Sequence, residues 1–133
     1  MNVVEIEGIG GAIQEKLRAA GIVTADDLLR AGRTAAGRAR LSEATGIREP
    51  RLLEWINHAD LMRITGVGPE YADLLEEAGV DTVPELARRN AVHLHATLEV
   101  TNGEQEVVRR LPSVSAVEGW VAEAKRLVRS IEY

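Results

Sequence analysis

Residues 6–21 read Ile-Glu-Gly-Ile-Gly-Gly-Ala-Ile-Gln-Glu-Lys-Leu-Arg-Ala-Ala-Gly, and residues 64–79 read Ile-Thr-Gly-Val-Gly-Pro-Glu-Tyr-Ala-Asp-Leu-Leu-Glu-Glu-Ala-Gly. The second stretch is the first displaced by 58 positions: Gly8 meets Gly66, Gly10 meets Gly68, Leu17 meets Leu75 and Gly21 meets Gly79. A fixed offset held over this length is a duplicated structural unit. Each copy is apolar, Gly, apolar, Gly, then an amphipathic helix. Glycine tolerates positive φ and close approach of another group. Gly10 and Gly68 are the expected sites of that need. Two glycines around one buried aliphatic, Ile9 or Val67, predict a tight turn between helices. The N–H groups at the start of the next helix form an anion site.

The pattern resembles the helix-hairpin-helix motif on Gly8-Ile9-Gly10 and Gly66-Val67-Gly68, with Gly21-Ile22-Val23-Thr24 and Gly79-Val80-Asp81-Thr82 matching downstream. As a duplicated whole, the chain is similar to a bacterial family of tandem helix-hairpin-helix proteins of unknown function. The resemblance implies an all-α fold of two tandem helix-hairpin-helix units of the sterile-alpha-motif-like class, residues 1–60 and 61–133, sharing a connecting helix. It also implies contact with DNA phosphates. Some members of the wider motif hold a monovalent cation on hairpin carbonyls, and no other cofactor is expected.

Outside the turns, the rest of the chain reads as helices. Residues 1–6 allow at most one turn. Thr24 caps a short helix with Asp27 at the capping-box position, and Thr82 with Glu85 is the better-formed version of the same signal. A helix near 34–44 is followed by Thr45-Gly46-Ile47, a degenerate second turn. A helix opened by Pro50 carries Leu52, Leu53, Ile56 and Ala59 on one face and runs to about Arg63, into the second repeat. Leu98 matches Leu41 and Gly103 matches Gly46, whereas Trp120 matches Trp55 only at an offset of 65. The additional residues near 104–112 are expected to form a short helix with Val107, Val108 and Leu111 inward. Ser115 and Glu118 predict a capping box for a last helix to about Ser130, with Val117, Val121, Ala124 and Val128 on its apolar face. That face is expected to complete the first unit, within the chain or in a second copy, so monomer and homodimer both stay open.

Composition narrows the function. The chain has no cysteine and only two Trp and two Tyr among its 133 residues, which excludes disulfides, thiolate metal sites and an aromatic stacking platform. No apolar run is long enough to span a bilayer, and the first ten residues lack a basic stretch and carry Glu5 and Glu7. A soluble cytoplasmic protein with no membrane partner is expected. The net charge is −5, and it is uneven: residues 1–58 are neutral and residues 59–133 carry the whole excess.

This asymmetry ranks the two turns. Lys16 and Arg18 follow the first, and Arg33, Arg38 and Arg40 belong to a basic run from Arg30 to Arg51. Glu70, Asp73, Glu76 and Glu77 follow the second, where they would repel phosphate. The candidate nucleic-acid-binding residues are Gly8, Ile9, Gly10, Gly11, Lys16, Arg18, Arg33, Arg38 and Arg40, with Gly66, Val67 and Gly68 as the second, less favourable set. The positions after the glycines, Gly11-Ala12 and Pro69-Glu70, lack the base common in DNA-binding hairpins. A turn that binds nothing is the alternative for each.

Other chemistry is poorly represented. Gly8-Ile9-Gly10 is not a dinucleotide loop, because Ile13 stands at the third glycine position and no strand precedes it. His93 and His95 point to different faces of a helix and lack a third ligand, so no metal site is assigned. Asp26-Asp27 and Glu76-Glu77 are adjacent on helices and diverge. No nucleophile comes with a base and an orienting partner, so no catalytic residue is assigned and the chain is expected not to be an enzyme. Two functions stay open: weak, sequence-independent binding of DNA, or a protein-interaction module that keeps the fold without DNA chemistry.

Overall fold

The glycine turns are the points at which each repeat starts its helices. In the computed structural model, which describes residues 1–133, the chain is all-helical: a 3-10 turn at Val3–Glu5, then α1 Gly11–Ala19, α2 Ala25–Ala31, α3 Ala35–Thr45, α4 Glu49–Leu61, α5 Pro69–Glu77, α6 Val83–Ala87, α7 Ala91–Gln105 and α8 Val114–Arg126. None of these helices is long and apolar enough to cross a membrane. The chain divides into two compact units, Met1–Asp60 with Ser130–Tyr133, and Leu61–Arg129. Residues 130–133 thus count with the first unit, not with the second where the sequence reading places them.

α1 and α5 end alike. Gly21 and Gly79 have φ of +85° and +93°. Ile22 N–H donates to the Leu17 carbonyl at 2.9 Å and Val80 N–H to the Leu75 carbonyl at 2.8 Å, the six-to-one bond of a Schellman stop. α2 starts on a complete capping box: Thr24 Oγ1 accepts from Asp27 N–H, and Asp27 Oδ2 accepts from Thr24 N–H, both at 3.0 Å. The expected ranking of the two boxes is reversed. At α6, Thr82 makes no side-chain cap bond, and Glu85 instead accepts from Asp81 N–H at 3.2 Å and from the Thr82 hydroxyl at 3.4 Å.

Thr24→Ala is therefore expected to lower the unfolding free energy by about 1 kcal/mol, and Thr82→Ala by clearly less, as read from urea midpoints. The backbone N–H groups of Thr24 and Val23 hold the Asp27 carboxyl below its ordinary range. A depressed folded pKa stabilises above the unfolded pKa and is lost as pH falls through the folded one. The gap between parent and Asp27→Asn should consequently close on moving from neutral pH into the acid range.

Within the first unit, Val3, Ile6, Ile9, Leu17 and Trp55 are buried together with α2 and α4 side chains such as Leu28, Leu52 and Ile56. α4 ends at Leu61, the first residue of the second unit. Its Trp55 and Ile56 are buried in the first unit, and its last residue, Leu61, is buried in the core of the second, so one helix supplies side chains to both cores. Glycines set two close approaches in the first unit. A Cβ on Gly32 would strike the Ile56 side chain, and one on Gly37 would strike the Ala31 carbonyl oxygen.

The second unit is closed by its last helix. Val117, Trp120, Val121 and Ala124 of α8 join a core with Ile64, Val67, Leu75, Leu86 and Leu98. The expectation that α8 completes the first unit is therefore corrected: its apolar stripe is used up inside its own repeat. Its cap is Ser113, whose Oγ accepts from Ala116 N–H at 3.0 Å, not Ser115, and the helix stops at Arg126, leaving Val128 82% exposed. Nor is there a helix at 104–112. α7 runs on to Gln105, and Glu106 at φ +50° turns the chain into an extended loop. Asn102 Oδ1 holds that loop by accepting from Val108 N–H at 2.8 Å. Val108 is buried without any helix to place it.

Candidate nucleic-acid interface

At the first turn, Gly8 has φ +94° and Ile9 is buried, so only the backbone of Ile9 can face a ligand. Gly10 is extended, φ −93° and ψ −173°, and acts as the N-cap of α1 with no side-chain cap bond. Gln14 N–H is the first to bond back, to the Gly10 carbonyl at 2.8 Å. The N–H groups of Gly11, Ala12 and Ile13 lie ahead of the intrahelical ladder, and Gly10, Gly11 and Ala12 are exposed.

The second turn repeats the backbone: Gly66 at φ +89°, Val67 buried, and Gly68 at φ −93° and ψ −170°. Pro69 removes one donor from the start of α5, and Glu70 sits in its first turn. On the outer side, Glu123 accepts from Thr65 N–H at 3.1 Å and from the Thr65 hydroxyl at 3.4 Å.

The expectation for Gly10 and Gly68 is corrected by this geometry. Neither has positive φ, and a Cβ on either would meet nothing within 4 Å. The residues that must be glycine are Gly8 and Gly66. A Cβ there would lie 3.1 Å from Trp55 Nε1 and 3.3 Å from Trp120 Nε1 respectively. Each repeat thus packs a glycine over the edge of its own indole, a pairing visible in sequence only as Trp55 and Trp120 recurring at an altered spacing.

The basic residues distribute differently from the sequence reading. Lys16 lines a groove of about 600 Å³ together with Glu7, Gly8, Ile13, Gly46, Ile47, Arg48, Pro50, Arg51, Glu54 and Trp55. Arg48 and Arg51, on either side of Pro50, thereby stand beside the first turn, and the Arg51 guanidinium sits 5.1 Å from the Trp55 ring centre. Arg18 is outside the groove and pairs with Glu15 at 3.1 Å. Arg33 and Arg40 are exposed but do not line it.

Arg38 is not a surface cation at all. It is 6% exposed, donates from Nη1 to the Gly32 carbonyl at 2.9 Å, and lies 5.7 Å from the Tyr133 ring centre. It satisfies the carbonyl end of α2. Sequence reasoning counted Arg48 and Arg51 in the basic run but left them out of the site. Their positions four and seven residues ahead of the paired Trp55, about one and two helical turns, are the signal that would have selected them.

A groove of similar size in the second unit is lined by Glu70, Asn102, Gly103, Glu106, Val107, Val108 and Arg109. Its charge is inverted, and neither Gly66 nor Trp120 lines it. Of the two histidines weighed as ligands, His95 bonds the Pro112 carbonyl through Nε2 at 2.9 Å, and His93 is exposed.

The family whose description reads Domain of unknown function (DUF4332) matches residues 7–127. The searches of curated proteins and of solved structures find no match.

Proposed function

We propose, for a chain that belongs to the DUF4332 family, that it is a non-catalytic, weak and sequence-independent binder of the DNA backbone, built from two helix-hairpin-helix units. One observation supports this above the others: the exposed, uncapped start of α1 stands beside a groove lined by Lys16, Arg48 and Arg51. Backbone N–H groups orient a phosphate, and those three side chains supply the Coulomb term. In the second unit, Pro69 and Glu70 withhold both, so the first hairpin leads. No element presents a set of side chains to base edges, and sequence preference should be slight.

With roughly 2–4 phosphates neutralised, the logarithm of affinity should fall with the logarithm of salt concentration at a slope of about −2 to −4. Fluorescence anisotropy with labelled random duplex tests this. Lys16→Glu combined with Arg51→Glu should abolish binding, whereas Arg18→Glu should change it little, because Arg18 is already paired. A parent chain that binds no DNA at low salt would sink the reading.

A second reading, a protein-interaction module, draws support from α7. Val92, Ala96 and Val100 recur every fourth residue on that helix, and all three are exposed, Val92 at 59% and Val100 at 61%. An unbroken apolar stripe of this kind is unusual on a surface that contacts only water.

A further inference from the structure

The Trp55 side chain has a feature that phosphodiester binding at the turn does not use. It is 3% exposed, lines the groove of the first unit, and has its indole nitrogen against the space that Gly8 leaves by lacking a Cβ. Its nitrogen is not one of the fully buried side-chain atoms left without a partner, which fits a donor that opens on the groove, since indole N–H groups usually find an acceptor. Around the same groove stand three cations, Lys16, Arg48 and Arg51, and two carboxylates, Glu7 and Glu54.

The second unit repeats the tryptophan and the glycine, but the groove of similar size described for it is lined by neither. Tyr71 stands where the first unit has Ile13, its ring centre 5.3 Å from that of Trp120. Its hydroxyl donates to the Arg110 carbonyl at 3.0 Å, tying the 106–113 loop to the ring. An aromatic side chain and a loop thus stand beside the indole in one repeat. In the other, Ile13 holds that position and lines the groove together with the indole.

We infer that the groove of the first unit is a site for a terminal phosphate, a phosphomonoester, with Trp55 Nε1–H as a donor on its floor and Lys16, Arg48 and Arg51 around it. This deepens the proposed function and rests on it for DNA as the source of the phosphate. Two physical reasons select a monoester. A donor on a side chain this buried is reached by a group attached at one side only, and a backbone diester carries a sugar on both. A phosphomonoester is also close to a dianion at neutral pH, which three cations outweighing two carboxylates suit better than a monoanion. The Arg51 guanidinium over the Trp55 ring is exposed and free to swing onto the phosphate.

The chain has two tryptophans, so a proton–nitrogen correlation spectrum of the full chain has two indole signals, assigned with Trp120→Phe. Inorganic phosphate, a nucleoside 5′-monophosphate, and a short duplex with either 5′-phosphate or 5′-hydroxyl ends are titrated in turn. The Trp55 signal is expected to move with the first two ligands and with the phosphorylated duplex, while the Trp120 signal stays in place. The phosphorylated duplex should bind about tenfold more tightly than the hydroxyl-ended one, as one charge-assisted contact set would give. Lys16→Glu and Arg48→Glu, both surface changes, should remove the shift and the tenfold difference.

Equal affinity for the two duplexes with a silent Trp55 signal overturns the inference and leaves backbone binding standing. A Trp55 shift with the small phosphates but no binding of either duplex upholds the groove and overturns DNA as its source. No shift and no binding with any ligand overturns both.

Discussion

A chain ending at Pro112 is expected to lose cooperative folding of its second unit. α8 supplies Val117, Trp120, Val121 and Ala124 to that core, each 5% exposed or less. Burying three larger apolar side chains and an alanine contributes about 6 kcal/mol or more at the usual 1.5–3 kcal/mol for each large residue. That matches the whole stability of a small domain. Calorimetry should show the transition of the second unit missing, and the truncated chain should bind a hydrophobic dye.

A chain ending at Arg129 separates the tail from the helix. Ile131 is 2% exposed, Glu132 N–H donates to the Arg33 carbonyl at 2.8 Å, and the Tyr133 hydroxyl donates to Asn57 Oδ1 at 3.0 Å. Losing them should cost the first unit about 2–3 kcal/mol and leave the second unaffected. If the chain ending at Pro112 unfolds the first unit and spares the second, the assignment of α8 is wrong.

Gly37→Ala is expected to destabilise the first unit by about 3 kcal/mol or more. A methyl group there meets the Ala31 carbonyl oxygen, a backbone atom that cannot rotate away, and Thr34 Oγ1 lies 3.2 Å from the same point. α3 would have to move off the end of α2. With it would go the bond from Arg38 to the Gly32 carbonyl and the cap that Thr34 makes to Gly37 N–H at 3.0 Å. Overpacking of this kind typically costs 1–3 kcal/mol, before the lost hydrogen bonds are counted. Gly10→Ala, with open space around its Cβ and extended dihedrals, is the control and should fall within about 0.5 kcal/mol of the parent. Comparable melting of the two variants would contradict the packing of α2 against α3.

The helical class and the start of each repeat were legible because local patterns encode them: 3.6-residue periodicity, capping oxygens, and glycines at the stops after α1 and α5. Long-range partners were not. The sequence marks Gly8 and Gly10 alike, yet only Gly8 lies against Trp55, 47 positions away. Arg38 and Arg51 look equivalent in a basic run. One is drawn inward by the carbonyls that end α2, and the other lines the groove, which no local pattern distinguishes. The loop at 106–113 was misread as a helix because Val107, Val108 and Leu111 have helical spacing. The burial of Val108 comes instead from the turn at Glu106 and the Asn102 side chain. The destination of α8 was misjudged for a related reason: an apolar stripe shows that a helix packs, not on what.

The return of residues 130–133 to the first unit has a consequence for the order in which a ribosome can finish the protein. α1 to α4 emerge early, and Trp55 can settle beneath Gly8 while the second repeat is still being made. The buried place of Ile131 and the hydroxyl contact from Tyr133 to Asn57 stay unfilled until the second repeat has been synthesised. The unit that is translated first is thus the last to be completed, and a nascent chain stalled anywhere between Leu61 and Arg129 presents a first unit that still lacks its closing peptide.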